Sequence, residues 1–245
     1  MERPAARLVT PARRIAPRSE EPTIDEALAL VNEPVEAESV DSGEAALGWR
    51  AARTRQAILD ATQQLFLDQG YAGTRINNIT DACGISRAGF YTYFKDKREV
   101  FEVLGANAYR DTIDVINGWD ALPRPCTRAD VESWIRRYFE LLDRHGAFIF
   151  ASAQSAPADE EFRASARRLQ MRSGWLLGTA LRSRKKEPTD APEALGLAVH
   201  AMLDRSWYQC RVQRLPVDEG DMIATVTSLV AAVLDIAPTP ARRRA

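Results

Sequence analysis

Residues Thr74 to Lys97 read TRINNITDACGISRAGFYTYFKDK, and this stretch decides the fold. Ile76, Ile79 and Cys83 recur at the spacing of one helical face, and Thr74 ahead of them carries the hydroxyl of an N-cap. Gly84 suits a sharp turn, because a positive φ carries no steric penalty at glycine. Ser86 then caps a second short helix whose inward side chains are Phe90 and Phe94. Ile79, Ile85 and Phe90 lock the two helices together, and Ser86 to Tyr93 projects a polar and aromatic face outward. This is the pattern of a helix-turn-helix whose second helix fits a DNA major groove.

The outward groups suit that task. Arg87, at the start of the second helix, can take a guanine edge with two donors. Thr92 offers a hydroxyl and a methyl, and the small pair Ala88 and Gly89 lets the backbone approach the bases. Tyr91, Tyr93, Lys95 and Lys97 carry donors for phosphate oxygens, which set register without reading sequence. From Arg50 to Arg98 the bases Arg50, Arg53, Arg55, Arg75, Arg87, Lys95, Lys97 and Arg98 outweigh Asp60, Asp68, Asp81 and Asp96. A helix pair with glycine in its turn also occurs in many bundles, so spacing alone leaves DNA binding and simple packing both open.

Ahead of this motif a helix from Leu47 presents Ile58, Ala61, Thr62, Leu65 and Phe66 on one face and ends at Gly70, a left-handed cap. Residues 1–46 have the composition of a disordered extension: Arg3, Arg7, Arg13, Arg14 and Arg18 come first, every charge from Glu20 to Glu44 is acidic, and prolines interrupt throughout. Ile24, Leu28 and Val31 allow a short amphipathic turn within it. The acidic run either competes with DNA for the basic head or is a solvated tail.

Beyond the motif the chain stays helical, with no period-two alternation between hairpin signals. A helix is expected over 97–118. Thr127, followed by Asp130, approaches a capping box for Arg128 to about Arg144. Further helices follow over 147–155, 160–184, 192–212 and 218–236, for about nine in an all-α chain, with a basic tail at 238–245. The aromatics Trp119, Trp134, Tyr138, Phe148, Phe150 and Trp175, with Met171, fit either a core or an apolar pocket. Leu195, Val199, Met202 and Ser206 form one helical stripe, and Ile223, Thr227, Val230 and Leu234 another.

The strings Gly70-Tyr71-x-Gly73-Thr74, Ile79 through Gly84-Ile85-Ser86 and Phe90-Tyr91-x-Tyr93-Phe94-x-x-Lys97 resemble the DNA-binding domain of the TetR family of bacterial transcriptional regulators. The resemblance covers residues 50–104. It implies a TetR-like layout: a helix-turn-helix domain over 47–96 and a larger helical ligand-binding and dimerisation domain over 97–237. It implies that Arg87, Ala88, Gly89, Tyr91 and Thr92 face the groove, that Asn77 lies near a base or phosphate, and that Thr74, Tyr93 and Lys97 contact phosphates, beside Ser86 and Lys95. It further implies a homodimer on a palindromic operator, the two stripes packing on their twofold mates, and release by a small effector, taken as lipophilic because few charges lie among the aromatics. Thr80 and Cys83 depart from the family's small alanines, and Ala88-Gly89 stands where Gly-Thr or Pro-Thr is common.

Composition bounds the alternatives. The 245 residues are 45% hydrophobic with 33 Lys+Arg against 34 Asp+Glu, a globular profile. Cys83, Cys126 and Cys210, with His145 and His200, match no metal spacing or disulfide framework, so no metal and no cofactor are expected, and Cys83 reads as inward packing rather than a redox sensor. No apolar run approaches the roughly 20 residues of a membrane helix, and the start lacks a signal-peptide core, so the expected place is a bacterial cytoplasm. No acid pair, activated nucleophile or phosphate loop points to catalysis, and no catalytic residue is assigned. A scaffold acting through the N-terminal extension is the alternative to a DNA-binding regulator.

Overall fold

The computed structural model describes residues 42–155, 160–186 and 189–236. These contain eight helices and no strand: α1 Ser42–Gly73, α2 Ile76–Cys83, α3 Arg87–Tyr91, α4 Lys97–Asn117, α5 Arg128–Ser155, α6 Glu160–Arg182, α7 Pro192–Arg211 and α8 Glu219–Val233. α1 begins at Ser42, ahead of the expected boundary at Leu47, because Glu44, Ala45 and Ala46 are good helix formers. The rest of the expected extension and the basic tail lie outside the described residues.

Two apolar clusters organise these helices. The first gathers Ile58, Leu59 and Phe66 of α1, Ile79, Phe90 and Phe94 of the helix-turn-helix, and Val100, Phe101 and Leu104 of α4. Phe148 and Ala151 from the far end of α5 complete it, the Phe148 ring meeting Phe101 at 4.8 Å between centroids. The second lies around α5, whose Val131, Trp134, Ile135, Tyr138 and Leu142 pack with Trp119, Leu177, Leu203, Trp207, Ile223 and Val230. α4 and α5 contribute to both clusters, so the recognition helices and the larger bundle share two continuous struts.

α5 replaces two expected helices. A break was expected at His145-Gly146, yet the helix runs on, because Gly146 serves packing instead of capping. A Cβ there would lie 2.3 Å from the Trp207 ring, which rests on the bare backbone while its Nε1 donates to Asp143 Oδ1 at 2.8 Å. The expected box at its start is formed: Asp130 accepts from the Thr127 backbone N–H at 2.8 Å, and the Asp130 N–H reaches Thr127 Oγ1 at 3.3 Å.

α6 and α7 cross with almost no space between their backbones. A Cβ on Gly178 would fall 1.6 Å from the Pro192 carbonyl oxygen, and one on Gly196 would fall 1.8 Å from that of Gly174. Glycine at three positions is therefore the condition for this crossing.

Trp119, Trp134 and Tyr138 are buried in the second cluster: Trp119 and Trp134 meet edge to face at 5.0 Å, and Trp134 Nε1 donates to the Val115 carbonyl at 2.8 Å. Phe148 belongs to the other cluster and Phe150 packs on Tyr208 at 4.4 Å, whereas Met171 and Trp175 point outward, 47% and 49% exposed. Depressions occur elsewhere, one of about 410 Å³ between Arg124, Cys126, Arg184 and Leu234. The proposed dimer stripes are likewise mostly interior. Val199, Ser206, Ile223, Thr227, Val230 and Leu234 are buried in their own chain, and Leu195 and Met202 pack against the same core, because α5 needs both stripes to cover it.

Candidate nucleic-acid interface

The reading head is built from local capping and a buried floor. Gly70 adopts φ 71°, ending the regular part of α1, and the chain turns into α2. Thr74 is not the cap that was expected. Its hydroxyl is buried 2.9 Å from the Gly70 carbonyl and 3.2 Å from that of Leu65, so it ties the turn to α1 and is withdrawn from any phosphate. Arg75 takes the N-cap position, its backbone N–H donating to Asn78 Oδ1 at 2.9 Å, and leaves its side chain exposed at the start of α2.

Gly84 has φ 66° and closes α2, with its N–H donating to the Asp81 carbonyl and that of Ile85 to Thr80. Ser86 caps α3 by accepting from the Gly89 N–H at 3.0 Å. Gly89 is half-buried, and a Cβ on it would stand 3.3 Å from Ser86 Oγ, so its smallness leaves the cap clear. Ile79, Phe90 and Phe94 are fully inside, with Thr80 buried beside them and Cys83 half-buried.

The outward surface carries Asn77, Arg87, Ala88, Tyr91, Thr92 and Lys95. Arg87 joins the two helices: one guanidinium nitrogen reaches Asn77 Oδ1 at 3.4 Å, the other Tyr91 Oη at 3.3 Å, with the guanidinium carbon 5.8 Å from the Tyr91 ring centroid. These long contacts hold the side chain over the surface while leaving its donors free to exchange for better acceptors. Thr92 Oγ1 donates back to the Ala88 carbonyl at 3.3 Å, so its methyl and a lone pair face out.

Tyr93 is half-buried against the first cluster. Lys97 works inward. Its ammonium donates to the Tyr71 carbonyl and, at 2.7 Å, to that of Thr74, and stands 4.2 Å from the Tyr71 ring centroid. Burial holds its pKa below the ordinary lysine value. Lys97 therefore positions the turn before α2, with at most one proton left for a phosphate.

The charge around the head favours an anion. Arg50, Arg53, Arg55, Arg75, Arg87 and Lys95 are exposed or half-exposed. Four of the neighbouring acids are engaged locally: Asp60 accepts from Gln56, Asp68 from Gln64, Asp96 caps α4, and Glu99 accepts the Lys95 N–H at 2.6 Å, while Asp81 is exposed on α2. Sequence reasoning passed over Arg75 and Arg55 as individual contacts. Arg75 follows Thr74 directly, a signal within reach, whereas the seat of Arg55 over the Phe94 ring at 5.0 Å is tertiary. Cys83 is inward, its thiol 3.4 Å from the Ala57 carbonyl, and burial with the nearby Asp60 charge pushes its pKa up, the opposite of a reactive thiolate.

A three-helix head with capped recognition helices, a basic outward face and a larger helical body define a helix-turn-helix protein. Residues 58–104 match the model of the bacterial regulatory proteins of the tetR family. Over 54 residues the chain is 43% identical to the HTH-type transcriptional regulator AcrR of Shigella flexneri and 38% identical to the HTH-type transcriptional repressor BepR of Brucella suis, matches that cover 22% of this chain and 25% and 26% of those proteins. The chain thus spans about a quarter of the length of these relatives. Among solved structures it is similar to a transcriptional regulator from Aquifex aeolicus (TM-score 0.56, 18% identity, 74% of this chain and 99% of that one) and to the fatty acid degradation regulator FadR from Bacillus halodurans (TM-score 0.57, 16% identity, 75% and 97%), likenesses of fold. The family match lies in the head, residues 58–104.

Proposed function

We propose that the protein is a transcriptional regulator, a homodimeric repressor that reads a palindromic operator through α2 and α3. The observation that carries this reading is the cluster of Asn77, Arg87 and Tyr91, which brings base-reading and phosphate-seeking donors from both helices onto one exposed, basic face. In this reading Arg87 takes a base edge, Lys95, Arg75 and Tyr91 take phosphates, and Lys97 and Thr74 hold the turn.

With both expected stripes inside the chain, the face left for a twofold mate is the opposite side of α7 and α8. Ala198, Ala201 and Arg205 are exposed on α7, and Thr225, Leu229 and Ala232 on α8, at spacings of three and four. Leu229 is 50% exposed, an apolar side chain that a second copy would cover. A C2 dimer places two heads on one duplex, which is the arrangement a palindrome requires. In this reading a small lipophilic effector releases the repressor from its operator.

The test is selection of genomic fragments with the purified protein, followed by titration of the recovered site with Arg87→Ala and Lys95→Ala. A palindromic consensus whose binding weakens in both variants, with a steep salt dependence, supports the reading. Absence of an enriched site, or binding indifferent to both substitutions, overturns it.

A further inference from the structure

The larger domain contains a buried polar cluster that DNA binding does not use. Tyr138 of α5 is inside the core, and its hydroxyl lies 2.7 Å from His200 Nδ1 and 2.9 Å from Asp204 Oδ1, both of α7. The imidazole Nε2 is also buried, without a well-formed hydrogen bond, and the nearby Ser173 backbone of α6 is the acceptor within its reach. Three helices therefore meet at one phenol, one imidazole and one carboxyl.

The proton count of this chain admits two arrangements. Tyr138 has a single hydroxyl proton and two neighbours that can accept it. With Asp204 ionised, the phenol donates its hydrogen bond to the carboxylate, His200 must hold its own proton on Nδ1 to donate to the phenol oxygen, and Nε2 is left as a bare lone pair. With Asp204 protonated, the carboxyl donates to the phenol oxygen and the phenol donates to Nδ1. The imidazole proton then moves to Nε2, where the Ser173 carbonyl is the available acceptor. One proton is taken from solvent, and no group other than Asp204 changes charge.

We propose that this cluster is a proton switch, in which one proton taken up by Asp204 reverses the Asp204–Tyr138–His200 chain and turns His200 Nε2 into a donor toward α6. The switch acts at the seam where α6 and α7 touch backbone to backbone at Gly174 and Gly196, four residues before His200. Burial sets its range. It pushes Asp204 up to about 6 and His200 down to about 4, so the carboxyl takes the proton before the ring does. Of the charged groups on the surrounding elements, Asp143 on α5 accepts from Trp207 Nε1 and pairs with Arg211, Arg205 on α7 lies 5.2 Å over the Tyr208 ring, Asp111 on α4 pairs with His145, and Glu140 on α5 and Arg172 on α6 are exposed to solvent. The inference stands apart from the DNA-binding reading.

The chain has only two histidines, which makes the test direct. Imidazole nitrogen NMR of the full-length protein labelled at histidine, with His145→Gln assigning the signals, reports the tautomer of His200. The expected result is a neutral ring protonated on Nδ1 well above pH 6, converting to a neutral ring protonated on Nε2 below it, with the conversion abolished in Asp204→Asn. One tautomer at every pH, a ring protonated on both nitrogens at pH 5, or an unchanged transition in Asp204→Asn would each overturn the proposal. The wild-type titration decides the matter even if a variant fails to fold.

Discussion

Replacing each of three glycines by alanine, one at a time, separates three physical effects that one substitution usually mixes. At Gly196 the new methyl would start 1.8 Å from the Gly174 carbonyl oxygen and 2.7 Å from the Gly178 nitrogen. Both are backbone atoms on the facing helix, so no side chain can rotate away and α6 and α7 must separate by roughly 1 Å or more. Overpacking of this kind costs about 3 kcal/mol, and alanine returns about 1 kcal/mol of helix propensity, leaving roughly 2 kcal/mol of destabilisation. At about 2–4 °C per kcal/mol for a chain of this size, Tm falls by roughly 4–8 °C. Gly48 is helical with nothing within 4 Å of the same methyl, so Gly48→Ala keeps only the propensity gain and raises Tm. Gly84 also has open space, but φ 66° makes Gly84→Ala lose about 1–2 kcal/mol to backbone strain alone. Thermal melts by far-ultraviolet circular dichroism at one fixed protein concentration read all three. A Gly196→Ala protein as stable as the parent would refute the backbone contact between α6 and α7, because only that contact opposes the propensity term.

Four further outcomes are expected. Lys95→Ala should weaken operator binding evenly across sequences and lower the slope of log affinity against log salt by about 1, whereas Arg87→Ala should relax base preference at its position, by about 1–3 kcal/mol in competition titrations. Lys97→Met keeps most of the length but leaves the Tyr71 and Thr74 carbonyls without their donor, so unfolding in urea should show a loss of about 1–3 kcal/mol. The pH dependence of stability has a definite sign. Asp204 sits above its unfolded value near 4, so in His200→Gln stability is greatest in acid and declines as pH rises toward about 6. His200 sits below its unfolded value near 6.5, so in Asp204→Asn stability falls as pH drops from about 6.5 toward about 4. In the parent the two contributions oppose each other across that window, and urea titrations of all three proteins should show a flatter profile than either variant. Leu229→Glu should shift the protein toward monomer in sedimentation equilibrium while leaving its fold intact, and an unchanged mass would remove α8 from the dimer face.

The recognition head was legible in the sequence because its determinants are local. Gly84 and Ser86 act on their immediate neighbours, and Ile79, Phe90 and Phe94 declare an inward face by spacing alone, so both short helices and their outward residues follow from about two dozen positions. The same locality misled at Thr74, whose hydroxyl suits an N-cap in isolation but is captured by carbonyls of α1 once the chain folds back. At Lys97 a surface cation in the sequence becomes an internal clamp for the same reason, its partners lying 23 and 26 residues away.

In the larger domain periodicity showed which residues share a face but not what that face meets. The stripes of α7 and α8 and the aromatics of α5 were recognised as apolar sets, and only packing showed that they meet one another within the chain. Gly146 reads as a stop until Trp207 is seen resting on it, and Tyr138, His200 and Asp204 stand on two helices, with at least 62 residues between the phenol and its partners. What the sequence by itself determined was the all-helical class and the two short helices of the head with their outward residues, because capping and periodicity act within a few residues. The tertiary structure decided which faces remain open and which polar groups meet, because those depend on the close approach of helices that are distant in the chain.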